Sequence, residues 1–252
     1  MSFRLVEPTL VPADPIEAEF ALLDLAGQQV AQLWVGPQSL VVPRSYRRHS
    51  GFEAARAHFA AEGWPVHVRP SGGGLVPQGP GILNLSLAYA VQGPLGDWAE
   101  PVYRHLCELL RGALLSLGLV THWQAVEGSF CDGRFNLAWS DPSGAPASPA
   151  RKIAGTAQYW RVLPAEGAAP RRHAVLAHAV LLVDADLAAA NARVNAFEQA
   201  IASGRRYDPA RTVSVAEALW PKTVPALMDE VQRLLREALA QTVPPQATTN
   251  RG

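Results

Sequence analysis

Arg151 to Arg161 reads R-K-I-A-G-T-A-Q-Y-W-R. Lys152 leads into Ile153, and Gly155, Thr156 and Ala157 then keep side-chain bulk low where the backbone can lie against a ligand. Taken alone, the same residues also fit an edge strand whose lysine points at water. Two upstream stretches bear on the choice: Arg69 to Gly74, R-P-S-G-G-G, and Ser129 to Leu137, S-F-C-D-G-R-F-N-L.

The glycine run follows a short alternating strand, V-H-V-R, at Val66 to Arg69. Three successive glycines lose a large conformational entropy on folding, more than a plain surface turn calls for. They suit a place where backbone amides must approach a carboxylate, acyl or phosphate group, with Arg69 supplying a planar cationic fork. The run is neither a phosphate-binding Walker loop nor a dinucleotide fingerprint, and by itself it also fits a flexible loop.

Cys131 lies between two strand-like pieces and is followed by Asp132, Gly133 and Arg134. A nucleophilic cysteine needs a cation nearby, which Arg134 would provide by proximity in sequence and Lys152 if the flanking strands pair. The alternative is a small buried hydrophobe, which is the reading for Cys107 on the helix after Asp97. His178, inside the apolar stretch Ala174 to Val183, is either a base or a core histidine bonded to backbone. Histidines at 49, 58, 67, 105, 122, 173 and 178 show no metal-ligand spacing, and no metal is expected.

Around these stretches the pattern predicts one mixed α/β (α+β) domain over 1–241, with a largely antiparallel sheet and flanking helices, and a mobile tail over 242–252. Residues 1–13 read as irregular. Helices are expected after Asp14 and Pro15, after Ser50, from Asp97 to Gly118, after Asp184 or Asp186, after Ser214 and from Val224 to Leu239. Strands are expected at Ala31–Val35, Leu40–Val42, Ile82–Val91, Leu119–Val126, Arg134–Trp139, Lys152–Arg161 and His173–Val183, with Asn84 and Ser86 on one face of a half-buried strand. Loops are expected at 140–150 and 164–170.

Lys plus Arg and Asp plus Glu number 22 each, so the formal net charge is zero and no nucleic-acid partner is expected. The start shows no secretory pattern, and the longest apolar run is too short to span a bilayer. A cytoplasmic protein with no membrane partner is therefore expected.

Taken together, R-P-S-G-G-G with Asn84 ten residues after Gly74, D-G-R-F-N-L and K-I-A-G-T-A-Q resemble the lipoate-protein ligase and octanoyltransferase family, whose catalytic fold is shared with biotin-protein ligase. The resemblance covers roughly Ala31 to Leu187. It implies that Lys152 holds the substrate carbonyl or an acyl-adenylate phosphate, and that Arg69, Ser71, Gly72, Gly73 and Gly74 close over the acyl group. By the same resemblance Asn84, Gly155, Thr156, Ala157 and His178 line the substrate site. Cys131 resembles the acyl-accepting cysteine of the transferase branch, and L-A-H-A around His178 is similar to that branch's L-Q-H-G. Gln78 and Gly79 stand where many members carry His-Asp, and D-G-R-F-N-L departs from the ligase pattern G-R-N-D-L.

Three functions follow from the resemblance. The first is transfer of octanoyl or lipoyl from acyl carrier protein to a lysine of a lipoyl carrier domain through a Cys131 thioester, with no cofactor. The second is an ATP- and magnesium-dependent ligase that forms an acyl-adenylate. The third is a non-catalytic protein of the same fold that binds acyl groups or carrier domains.

Overall fold

The computed structural model describes residues 2–8, 14–142, 149–164 and 171–247. Residues 1 and 9–13 of the expected irregular start lie outside them, as do residues 143–148 and 165–170 of the two expected loops and the tail from 248 on. A two-residue strand, β1 (Arg4–Leu5), comes first. Helix α1 (Pro15–Ala21) starts as its capping chemistry dictates, with the Asp14 carboxylate accepting from the N–H groups of Ile16 and Glu17 and proline in the first turn. Strands β2 (Val30–Trp34) and β3 (Ser39–Pro43) follow. Helix α2 (Phe52–Ala61) is entered through Gly51 with no side-chain cap, so the expected capping role of Ser50 is not realised.

Strands β4 (Val66–Arg69) and β5 (Val76–Gln78) flank the glycine run, and β6 (Ile82–Gln92) follows. Helix α3 (Ala99–Ser116) leads to the short strands β7 (Thr121–Trp123) and β8 (Leu137–Trp139). These two are shorter than expected. The chain between them folds back on itself, with the Ser129 N–H bonded to the Val126 carbonyl and the Asn136 N–H to the Gly133 carbonyl, so the loop leaves the sheet plane. The long strands β9 (Arg151–Val162) and β10 (Arg172–Leu182) follow, then α4 (Leu187–Ala200), capped by Asp186. Helix α5 (Val215–Leu219) carries a complete Ser214/Glu217 capping box, and α6 (Leu227–Gln241) ends the described helices.

Seven strands form one sheet in the order β1-β2-β6-β10-β9-β8-β7, antiparallel except for the β1–β2 pair. A smaller sheet is ordered β4-β3-β5. Period-two alternation decides what each face of the large sheet meets. Leu83, Leu85, Leu87 and Tyr89 of β6 and Val175, Ala177, Ala179 and Leu181 of β10 join the apolar faces of α3 and α6 in one core. The opposite face carries Asn84, Ser86, His178 and Val180, and the second core, built from β3, α2 and α4, lies beyond it. Strand β6 is therefore buried on both faces and not half-buried as its polar residues imply.

Leu110 on α3 is completely buried in the first core. Leu110→Ala is expected to lower unfolding free energy by about 2–5 kcal/mol in urea denaturation, the range for a buried leucine truncation that leaves a cavity.

Candidate active site

Lys152 is 1% exposed, because β9 lies between β10 and β8 and not at an edge. That excludes a solvent-facing lysine. Its Nζ donates to the carbonyls of Phe130 at 2.6 Å and Cys131 at 2.8 Å, and sits 5.0 Å from the Phe130 ring centroid. An ammonium has three donors, so one remains for a substrate oxygen. Complete burial pulls its pKa down from 10.5 to about 8, against the opposing pull of Cys131 and Asp132.

The need for glycine at 155 follows from that lysine. A Cβ built there would come 2.9 Å from Lys152 Nζ and 3.0 Å from its Cε. Asn136, completely buried, closes the other side: its Nδ2 donates to the Cys131 carbonyl at 2.7 Å, and its Oδ1 accepts from the Thr156 N–H at 3.4 Å. Thr156 Oγ1 in turn donates to the Phe135 carbonyl at 2.6 Å. Three carbonyl contacts thus fix the Cys131 loop to the strand that carries the K-x-x-G element.

Cys131 is held at φ +52, in the left-handed region that non-glycine residues rarely adopt. The glycine run packs directly on it. The Gly74 N–H donates to Cys131 Sγ at 3.2 Å, and a Cβ on Gly73 would come 2.8 Å from that sulfur. The same point is 3.2 Å from Arg69 Nη2, so a guanidinium charge lies close to the sulfur. Arg134 does not supply this charge. It is exposed, stacks on Phe135 and lies 4.0 Å from Glu100. Arg69 is buried, and its donors organise the loop, bonding the carbonyls of Val41, Gly72 and Gly74.

His178 does not bond to backbone. Its Nδ1 is 3.2 Å from Glu19 Oε1 and its Nε2 is 3.1 Å from Ser71 Oγ. The buried Glu19 carboxylate also accepts from Ser86 Oγ at 2.5 Å, and Ser86 accepts from Trp34 Nε1 at 3.1 Å. Burial alone would raise the Glu19 carboxyl, but the charge and hydrogen bond of His178, together with the Ser86 bond, hold it below its ordinary value. A polar line therefore runs from Trp34 to the first residue of the glycine loop. Asn84 is engaged separately, in a reciprocal amide pair with Gln78 at 2.8 Å in each direction.

Two cavities meet at Cys131, Thr156 and Ala157. The first is mostly apolar, lined by Ile16, Trp34, Val41, Val76, Val180 and Leu182, with Glu19, Asn84, Lys152 and His178 in its wall. The second is broader and polar, and includes Gly72, Gly73, Gly74, Asp132, Arg205 and Arg206. All the expected site residues except Ser71 line one or both, and Ser71 touches the site through His178. Glu19, Arg205 and Tyr46 are additions outside the motifs, while Gln78, read from the sequence only as a departure from His-Asp, and Asn136 of D-G-R-F-N-L gain places in the site. Tyr46 anchors the loop from behind: its hydroxyl accepts from the Leu75 N–H, donates to Glu198 and accepts from Arg205. Among the described residues, no group of three His, Cys, Asp or Glu is placed to hold a metal ion, and no helix is long and apolar enough to cross a membrane.

Comparison with known proteins now gives the site a context. The lipoyl protein ligase A/B catalytic domain matches residues 12–240. An uncharacterised protein of Cupriavidus necator is 60% identical over 242 residues, which cover 92% of this chain and 94% of that one. An octanoyl-[GcvH]:protein N-octanoyltransferase of Kyrpidia tusciae is 35% identical over 178 residues, 68% of this chain and 58% of the relative. Of solved structures, lipoate-protein ligase A bound with ATP is similar with a TM-score of 0.64 at 18% identity, covering 96% of this chain and 85% of that one. A bipartite lipoate protein ligase of Thermoplasma acidophilum, studied with its E2 lipoyl domain, is similar at 0.62 and 18%, covering 96% and 83%. At such identities the structural likeness is one of fold, the biotin/lipoate ligase catalytic fold.

Two predictions follow from the lysine. Gly155→Ala must displace the Lys152 ammonium while leaving the sheet intact, so acyl-group turnover should fall by about tenfold or more, with far-UV circular dichroism unchanged. Because the folded pKa of Lys152 lies below the unfolded one, the unfolded chain binds more protons between about pH 8 and 10.5, and stability rises across that window. Lys152→Met should remove a rise of up to about 3 kcal/mol, read by urea denaturation at several pH values.

Proposed function

The chain belongs to the lipoyl protein ligase A/B catalytic domain family, enzymes of lipoate and octanoate attachment, and on that premise we propose that it is an acyltransferase working through a Cys131 thioester. The observation that carries this reading is the setting of Cys131: a strained backbone, a sulfur that accepts the Gly74 N–H, and a place where an apolar and a polar cavity meet. A sulfur that only filled space would need neither the left-handed backbone nor the loop amide.

In the first half-reaction the Cys131 sulfur attacks the carbonyl carbon of a carrier-borne octanoyl or lipoyl group. A new C–S bond forms, the bond to the donor breaks, and the proton given up by the Cys131 thiol leaves on the donor atom. The third Lys152 donor stabilises the developing oxyanion, and the Gly74 N–H and the nearby Arg69 guanidinium favour negative charge that develops on the sulfur during attack. The hydrocarbon chain lies in the cavity of Ile16, Trp34, Val41, Val180 and Leu182. In the second half-reaction the neutral amine of an acceptor lysine on a lipoyl carrier domain attacks the thioester, a C–N bond forms, the C–S bond breaks, and a proton from the amine returns to the Cys131 sulfur as the thiol.

The donor is octanoyl-acyl carrier protein in the simplest form of this mechanism. The name of the Kyrpidia relative favours a second donor, an octanoyl group already on a glycine-cleavage carrier. The competing reading is an ATP-dependent ligase, in which Lys152 and the amides of Gly72 to Gly74 would hold the α-phosphate and no covalent enzyme intermediate would form.

Intact mass spectrometry after incubation with octanoyl-acyl carrier protein, and separately with octanoylated carrier, tests the proposal. An adduct of one octanoyl group that hydroxylamine removes and Cys131→Ala abolishes is expected with at least one donor. Lipoyl-domain modification that needs ATP, magnesium and free acid, and survives Cys131→Ala, would make the protein a ligase.

A further inference from the structure

Arg44, Arg47 and Arg48 lie on one short 3₁₀ segment, Arg44–Arg48, and all three are exposed. Arg205 and Arg206 are exposed in the segment after α4. The two groups meet at Tyr46, whose ring centroid is 5.6 Å from the Arg205 guanidinium carbon and whose hydroxyl accepts from Arg205 Nη1 at 3.1 Å.

In a chain with 22 cationic and 22 carboxylate side chains, many of the surface arginines have a carboxylate partner. Arg104, Arg111, Arg161, Arg233 and Arg236 each have a carboxylate within about 3 Å. Among the described residues, none of the five arginines around Tyr46 has one within 4.0 Å. Gathering unpaired like charges on one face opposes folding slightly through mutual repulsion, and such a face also steers an anionic partner.

The place of this face says which partner. Arg205 and Arg206 line the polar cavity that opens onto Cys131, and Arg205 Nη1 is 3.5 Å from where a Cβ on Gly74 would stand. A macromolecule seated on the arginines would sit over the mouth through which an acyl group or an acceptor lysine must pass. We propose that the Arg44/Arg47/Arg48/Arg205/Arg206 face is the docking surface for an acidic side of the lipoyl carrier domain that takes the acyl group from Cys131. This rests on the transferase reading for the identity of the cargo, and on charge and location for the surface. A nucleic acid would meet the same charges, but a neutral chain with Arg205 and Arg206 in the wall of a cavity that reaches a thiol favours a carrier protein.

The test separates docking from chemistry. Binding of a fluorescently labelled acidic lipoyl domain to the full chain is measured by anisotropy at low and high salt. In parallel, acylation of Cys131 is followed with the small uncharged thioester S-octanoyl-N-acetylcysteamine. Arg47→Glu/Arg48→Glu is expected to weaken carrier binding by about tenfold or more and to flatten its salt dependence, with Arg47→Ala/Arg48→Ala intermediate. Both variants should keep the wild-type rate with the small thioester, which also shows that they fold. Carrier affinity unchanged by the charge reversal would overturn the proposal, as would arginine-dependent binding of an oligonucleotide that exceeds binding of the carrier. Arginine-dependent carrier binding with no acylation of Cys131 by any donor would support the surface and sink the thioester chemistry.

Discussion

The site depends on a buried ammonium that cannot be solvated. Lys152 lies in the interior of the sheet, where burying a charge without partners would be prohibitive. Its charged form persists because the carbonyls of Phe130 and Cys131 accept from it. That bond works in both directions. It compensates the lysine, and it obliges the loop before β8 to bring its carbonyls inward, which carries the Cys131 side chain to the cavity junction. Asn136 ties the same carbonyl from the other side. Once those contacts exist, residue 155 has room for no side chain and the glycine loop has one surface on which to rest.

Much of this frame is legible along the chain, because it is local. Asp14, Asp186 and Ser214 announce helix starts by the chemistry of the cap, and each does accept from backbone N–H groups there. Alternation in Ile82 to Val91 and the run around His178 place the long central strands, and the K-x-x-G spacing places the lysine. What the pattern misses is long-range. Glu17 and Glu19 look alike on a short helix, yet Glu17 is exposed while Glu19 is buried against Ser86 and His178, residues 67 and 159 positions away. Tyr46 and Glu198 meet across 152 positions. Arg134 shows the converse error: it is near Cys131 in sequence and turned towards Glu100 in space.

The second sheet explains why polar residues on a central strand stay buried. A sheet covered by helices on one face only would leave Asn84, Ser86 and His178 to water. Here the small sheet and α1 cover that face, so each polar group has to find a protein partner. Asn84 finds Gln78, Ser86 finds Glu19 and Trp34, and His178 finds Glu19 and Ser71. These pairings leave the apolar side chains between them as the free lining of the cavity, which gives it a hydrocarbon character despite its polar walls.

In the proposed acyl transfer, the two cavities would divide the work by dielectric. On the apolar side, hydrocarbon is favoured and water is not, so a long acyl chain would gain there. On the open polar side, amides of the glycine loop and guanidinium groups meet whatever carries the acyl group in or takes it away. Cys131 stands at the boundary, within reach of both, and its surroundings combine the two requirements of acyl transfer: a cation near the sulfur, and a donor left over near the carbonyl oxygen. Moving either group would separate them. On the proposed transferase chemistry, a longer reach at Lys152 or a bulkier glycine loop would keep the thiol and the oxyanion donor from addressing the same carbon, so the precision of the site would reside in what Gly73 and Gly155 omit as much as in what Cys131 and Lys152 provide.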